Sequence, residues 1–197
     1  RRGRGVVSGG RDSDLKMQFI NIASKGNSQF FGVHTGSTST FEGFGLASET
    51  RGIFAGGADW PSMKDEIDFV TIATLGNAQD FGNLTINQAI NNGATSSTRA
   101  VYGTGSQTPS YIHLEFITIA TTGNAQEFGE SSASVGWKTG TSDTIRGVFG
   151  GGQTPEYTNA IEYIQIATQG NAVDFGDLIT DQHYSGGACS NGHGGLG

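Results

Sequence analysis

A single cysteine, Cys189, leaves this chain no internal disulfide and no site built from several thiolates. A lone thiol of this kind is expected as a small buried residue in a strand. Charge is sparse too, at 15% of 197 residues against about a quarter in ordinary globular domains. It is also unbalanced: 11 basic and 18 acidic side chains give a net −7 and a pI near 4.9. Phosphate backbones and anionic lipid surfaces would be repelled, so nucleic acid is not an expected partner. No apolar run approaches the roughly 18 residues of a membrane helix, and membrane insertion is not expected. The opening "RRGRGVVSGG" is basic but has no hydrophobic segment behind it, so it is not read as a signal peptide. Without a Met, it reads as the start of a processed or excised piece of something longer. Helical signals are nearly absent, with no convincing amphipathic stretch of about ten residues.

What the chain has is glycine, 33 of 197 residues, far above the usual ~7%. There is no G-X-Y period, so collagen is excluded, and the interspersed Val, Ile and Phe supply enough apolar surface to argue against disorder. Glycine with Thr, Ser and Asn fits an all-β protein with many turns.

The turns repeat. "FITIATTGNAQEFGE" at 116–130 recurs as "FVTIATLGNAQDFGN" at 69–83, as "YIQIATQGNAVDFGD" at 163–177 and more loosely as "FINIASKGNSQFFGV" at 19–33. A second marker, "RGVVSGG" from Arg4, "RGIFAGG" from Arg51, "RAVYGTG" from Arg99 and "RGVFGGG" from Arg146, is spaced by 47, 48 and 47 residues. "HGGLG" begins a degraded fifth copy at His193, another 47 on. Periods of this length point to propellers, solenoids or arrays. The chain is therefore read as one repeat domain over 1–197, with repeats at about 4–50, 51–98, 99–145 and 146–192 and a partial copy at 193–197. Within a repeat the hydrophobic period is two: in "AIEYIQIAT", Ile161, Tyr163 and Gln165 alternate with Glu162, Ile164 and Ile166. The glycine-ended strand, the "IEY" strand, the "VDFGDL" strand and a weaker fourth near "GGACSN" make four strands per ~47 residues, as in a propeller blade. The pairs Gly26-Asn27, Gly76-Asn77, Gly123-Asn124 and Gly170-Asn171 fall between strands two and three. There a tight hairpin is expected to use both residues at positive φ.

A strand closing on a glycine pair ("VFGGG", "IFAGG"), a variable loop, an "IEY" strand and a hairpin resemble the kelch-type propeller blade. More narrowly, "RGVFGGG" with "IEYIQIATQGNAVDFGDL" resembles repeat proteins of marine tailed bacteriophages, and "CSNGHGGLG" is similar to their C-termini. The chain departs from the pattern at Phe30, where other repeats carry an acid before Phe, and in lacking a repeated late tryptophan. The resemblance implies an all-β, kelch-like β-propeller of four ~47-residue, four-stranded blades with a C-terminal fragment of a fifth strand-one copy. It implies a virion protein, assembled in the host cytoplasm, of the tail-fibre or adhesin type. The expected function is non-enzymatic binding of a host surface glycan or receptor. The alternative is a purely structural virion protein that docks to other virion proteins without a ligand. A homo-oligomer is left open. With five copies of strand one and four hairpins, the surplus copy either closes the ring or extends to a neighbouring chain.

Chemistry-bearing motifs are few. His34, His113, His183 and His193 occupy non-equivalent places in their repeats and show no ligand spacing. "GTGSQTPS" leads into a strand rather than a helix, against a phosphate cradle. Asp80, Glu127 and Asp174, three residues after the turn Asn, read as solvated turn acids, and Asp12 and Asp14 lack the rest of a calcium loop. No catalytic residue, metal or cofactor is expected. Arg51, Arg99 and Arg146 recur in register, as do Asp68, Glu115 and Glu162. Copies in both signs suggest structural ion pairs between neighbouring strands, with an arginine-lined anion site as the sharper alternative and Gln18 interrupting the acid series. The segments after the glycine pairs vary while the strands do not, and specificity usually resides in such loops. Trp60, Tyr111 and Tyr157 sit there, flanked by polar residues as in a sugar site, and are the candidate ligand contacts. Trp137 matches Ile90 and Tyr184 in the fourth-strand region and is expected in the core.

Overall fold

The computed structural model describes residues 3–9, 15–36, 43–59, 61–90, 92–103, 105, 112–153, 155–182 and 187–192, with Asp59 and Gln182 described by their backbone alone. Among these residues there is no helix, as the two-residue hydrophobic period requires. The strands form successive antiparallel sheets. The first holds β1 (Arg4–Val7), β2 (Lys16–Asn21) and β3 (Gln29–Val33). The second holds β4 (Phe44–Ala47), β5 (Arg51–Ala55), β8 (Glu66–Thr71) and β9 (Gln79–Asn83), with a small hairpin of β6 (Ala58–Asp59) and β7 (Ser62–Met63) inserted. The third runs β10 (Gly93–Thr95), β11 (Arg99–Tyr102), β12 (His113–Thr118), β13 (Gln126–Glu130). The fourth runs β14 (Thr139–Ser142), β15 (Arg146–Gly150), β16 (Thr158–Gln165), β17 (Val173–Gln182).

The sheets are offset from the sequence repeats. The strand that ends one repeat heads the sheet of the next, so β4 pairs with β5 and not with β3. The turn between them is short and locally encoded: the hydroxyl of Ser48 accepts from the N–H groups of Thr50 and Arg51, Ser96 does the same for Thr98 and Arg99, and Asp143 for Ile145 and Arg146. One consequence is that the first sheet has three strands rather than four among the described residues. Nor is a closed ring found among them: the backbone bonds and buried clusters that join successive sheets include none between the fourth sheet and the first.

The core lies between sheets. Met17, Phe31, Val70 and Ala78 fill the first joint; Ile53, Phe69, Phe81, Ile117 and Ile119 the second; Val101, Phe116, Phe128, Ile164 and Ile166 the third. Every unit contains the same stack. An arginine lies over an aromatic ring, Arg4 on Phe19, Arg51 on Phe69, Arg99 on Phe116 and Arg146 on Tyr163, at 4.4–4.9 Å. That ring meets Phe31, Phe81, Phe128 or Phe175 edge-on. The second ring belongs to a residue extruded by a β-bulge, which recurs opposite Met17/Gln18, Ile67/Asp68, Leu114/Glu115 and Ile161/Glu162. This bulge is why Phe-Gly is written into each repeat.

The Gly-Asn element does more than turn the chain. The glycines take φ between +153° and +156°, but the asparagines do not share that conformation, contrary to expectation. Asn77, Asn124 and Asn171 instead use their side-chain oxygens to accept from the N–H groups of Val33, Asn83 and Glu130 in the preceding sheet, at 3.0–3.2 Å. Around them, Gly76 and Ala78 donate to the carbonyls of Phe31 and Val33, and the same pair of bonds recurs at each later joint. The last strand of a sheet (β3, β9 or β13) is an open edge, and the next hairpin satisfies it. The glycine after each bulge makes room: a Cβ on Gly32, Gly82 or Gly129 would stand 2.0–2.5 Å from the carbonyl oxygen of Gly76, Gly123 or Gly170.

Candidate functional site

Antiparallel topology sorts the connections to two ends. At one end lie the hairpins and the Ser48-type turns, which recur almost unchanged. At the other are the strand ends from which the segments joining strand one to strand two (8–15, 56–65, 103–112, 151–157) and those joining strand three to the next sheet (34–43, 84–92, 131–138) leave. The described strand ends that bound the variable segments all lie at that end.

A cavity of about 270 Å³ opens there between the first and second sheets. Phe54 supplies an apolar wall, and Ser8, His34, Lys64, Glu66 and Asp68 supply polar groups. A ring face with polar edges is what recognition of a small polar ligand uses, though the volume is just below the ~300–1,000 Å³ typical of ligand pockets. Inside it, the Ser8 hydroxyl lies 2.5 Å from Nε2 of His34, and Nδ1 of His34 lies 2.9 Å from Asp68. Nδ1 faces a carboxylate and so carries a proton; in the neutral ring Nε2 then accepts from Ser8. Asp68 also accepts from the N–H and hydroxyl of Thr35. Burial alone would raise the Asp68 pKa, but bonds from His34 and Thr35 outweigh it and hold the group below the usual aspartate value.

The hydroxyl–imidazole–carboxylate order is that of a nucleophile relay, but the other joints give it a different meaning. At the position of Asp68 the next sheets carry Glu115 and Glu162. Glu115 accepts from Thr85 N–H at 2.6 Å and Gln88 at 3.0 Å, with His113 at 3.6 Å. Burial pushes its pKa up, partly opposed by the Thr85 bonds and His113. Glu162 pairs with Lys138 at 2.6 Å and accepts from Ser131 and Ser132 at 2.6–2.7 Å. There burial would raise the pKa, and the Lys138 charge holds it down. Each carboxylate thus clamps the loop after the bulge of the preceding sheet. The His34 network is the first joint's version of a repeated polar clamp.

This corrects the expected pairing of the two charged series. Arg51 and Arg99 do not meet Asp68, Glu115 or Glu162, because arginines start strand one and acids lie on strand two at the opposite end. Arg4, Arg51 and Arg99 instead donate to the carbonyls of Ile72, Ile119 and Ile166 in the following sheet, at 2.7–2.9 Å. They are bound to backbone and stacked on rings, so they do not line an anion site.

Of the candidate ligand contacts, Tyr157 is 45% exposed at the variable end, just before β16, and does not line the cavity. Trp60 and Tyr111 lie outside the described residues, as do Asp12, Asp14, His183, Tyr184 and the copy from His193. Asp80, Glu127 and Asp174 are exposed on strands rather than in turns. Trp137 is half-buried with φ 53°. Cys189 is exposed, not buried as expected, because the segment around it lies outside the sheets. No group of three or more metal-ligating side chains occurs among the described residues. The sequence sets His34 aside for want of ligand spacing and does not mark Lys64 or Glu66; His34 stands where other repeats have Leu84, Ser131 and Leu178, and that departure is the signal for its place in the cavity. Compared with known proteins, the chain matches no family model and no curated protein.

Proposed function

We propose that this chain is a non-enzymatic, kelch-like propeller-type repeat module of a bacteriophage virion, in a tail fibre or adhesin, that binds a host surface glycan through its variable-loop end. The observation that carries this reading is the segregation of variation: every variable segment leaves from and returns to strand ends at one end of a scaffold whose other end is nearly constant. The cavity between the first two sheets opens at that end, with Phe54 as the face for a sugar ring and Lys64 and Glu66 as hydrogen-bonding edges. Successive sheets whose innermost strands β4, β10 and β14 lie side by side are consistent with blades around an axis. The clamp role of Asp68, shared with Glu115 and Glu162, favours binding over catalysis.

The test is a glycan array probed with purified protein, followed by titration of retained glycans. Lys64→Ala and Glu66→Gln are expected to weaken binding at least tenfold with an unchanged melting midpoint. A serine-directed fluorophosphonate is expected to leave Ser8 unlabelled. Failure to retain any glycan, or variants that bind as tightly as the parent, overturns the glycan reading; rapid labelling of Ser8 overturns the non-enzymatic one.

A further inference from the structure

The three joints use one pair of complementary surfaces, and the molecule carries each surface once more without a partner among the described residues. On the first sheet, Ile22 is 68% exposed and Ile20 is exposed, whereas Val70, Ile117 and Ile164 at the place of Ile20, and Ile119 and Ile166 at that of Ile22, are buried. On the fourth sheet, Phe175 is 52% exposed, whereas Phe31, Phe81 and Phe128 are buried. The polar groups follow suit. Arg146 is exposed and meets no carbonyl of a following sheet, while Arg4, Arg51 and Arg99 are half-buried against one. A Cβ on Gly176 would meet nothing within 4 Å, where Gly32, Gly82 and Gly129 face a hairpin carbonyl.

We propose that a second copy of this chain docks head-to-tail, its first sheet seated on the fourth sheet of its neighbour, reproducing an internal joint between chains. The occupant is specified by the interface that already exists three times. Seated this way, Arg146 reaches the Ile22 carbonyl, Gly26 N–H reaches the Phe175 carbonyl, and the Asn27 side chain accepts from Asp177 N–H. The residues that depart from the repeat depart together. Gln18 replaces the buried carboxylate, and Ile179 replaces the Thr35, Thr85 or Ser132 whose hydroxyl faces that carboxylate, so the joint between copies buries no unpaired charge at that place. Gly187–Ser190 is equivalent to β4, β10 and β14, and β1 lacks such a neighbour in its own sheet. Ser190 donates to the Ser142 carbonyl as Ser142 does to that of Thr95, so one copy carries beside β14 a segment that can supply the innermost strand the next copy's first sheet lacks. Because the two surfaces differ, the contact is heterologous, closing into a ring where the rotation between copies brings head back to tail and running on into a filament where it does not.

Sedimentation velocity across micromolar to near-millimolar concentration tests this. The parent is expected to form species at multiples of its 20.5 kDa mass. Ile22→Glu blocks the head and Arg146→Glu blocks the tail; each alone is expected to run as one chain, and their equimolar mixture, which retains one good joint, as two chains and no more. Asn27→Ala is a milder second head variant, expected to weaken assembly at least tenfold. Phe30→Asp removes an exposed aromatic whose counterparts, Asp80 and Glu127, remain exposed at internal joints, and should leave assembly intact. A parent that stays at one-chain mass throughout, from closure within the chain or from a foreign partner's exclusive use of these faces, overturns the proposal. So does a mixture that fails to pair, or Phe30→Asp dispersing the assembly as Ile22→Glu does.

Discussion

The post-bulge glycines permit a matched experiment. Gly129 and Gly176 occupy the same place in "EFGE" and "DFGD", with φ of +154° and +136°. Alanine at either is strained by the positive φ, at a cost of about 1 kcal/mol. The two sites differ in what faces them. A Cβ at 129 would lie 2.3 Å from the Gly170 carbonyl oxygen, a backbone atom that cannot swing aside, while at 176 it meets open space. To accept Gly129→Ala the third joint must open by about 1 Å, which is the scale of overpacking that costs ~1–3 kcal/mol. Opening also stretches the bonds from Gly170 to Phe128, Ala172 to Glu130 and Glu130 to Asn171, now at 2.7–3.1 Å and worth about 1 kcal/mol each. The expected loss is therefore about 3–5 kcal/mol for Gly129→Ala against about 1 kcal/mol for Gly176→Ala. For a chain of this length each kcal/mol lowers the melting midpoint by about 2–4 °C. Differential scanning calorimetry at low micromolar concentration, where copies are kept apart, should separate the variants by roughly 10 °C. Equal midpoints would refute the joint geometry.

Three further expectations concern the clamps and the loops. Asp68 and Glu162 are held below their ordinary values of 3.8 and 4.5, so the stability they confer is complete above those values and is lost as pH falls through the lower folded ones. Urea titrations from pH 7 to 2.5 should show that decline, and Asp68→Asn and Glu162→Gln should flatten it. Lys138→Met leaves the buried Glu162 carboxylate without its counter-charge, with only the Ser131 and Ser132 bonds, and should cost about 3–5 kcal/mol, whereas Lys138→Met with Glu162→Leu should recover most of it; a double variant no more stable than the single one contradicts the clamp. Trp60→Ala should weaken glycan binding by ~2 kcal/mol, about thirtyfold, without moving the midpoint; a large fall in midpoint assigns Trp60 to packing instead.

Sequence alone determined the elements that depend on a few neighbouring residues. Alternation in "AIEYIQIAT" marks a strand because successive side chains point to opposite faces, and Ser48, Ser96 and Asp143 close their turns on backbone two and three residues away. The 47-residue register likewise announced a repeated β unit. Tertiary structure decided what covers each face. That β4 joins β5 rather than β3, that Asn77 caps Val33, that Arg51 reaches the Ile119 carbonyl 68 positions away, and that Asp68 holds His34 are all choices made across a joint. An alternating pattern states that a face is apolar but not which surface buries it. Likewise an arginine or a carboxylate in register has a partner only once the bulge and the offset sheets have set its distance from every other group.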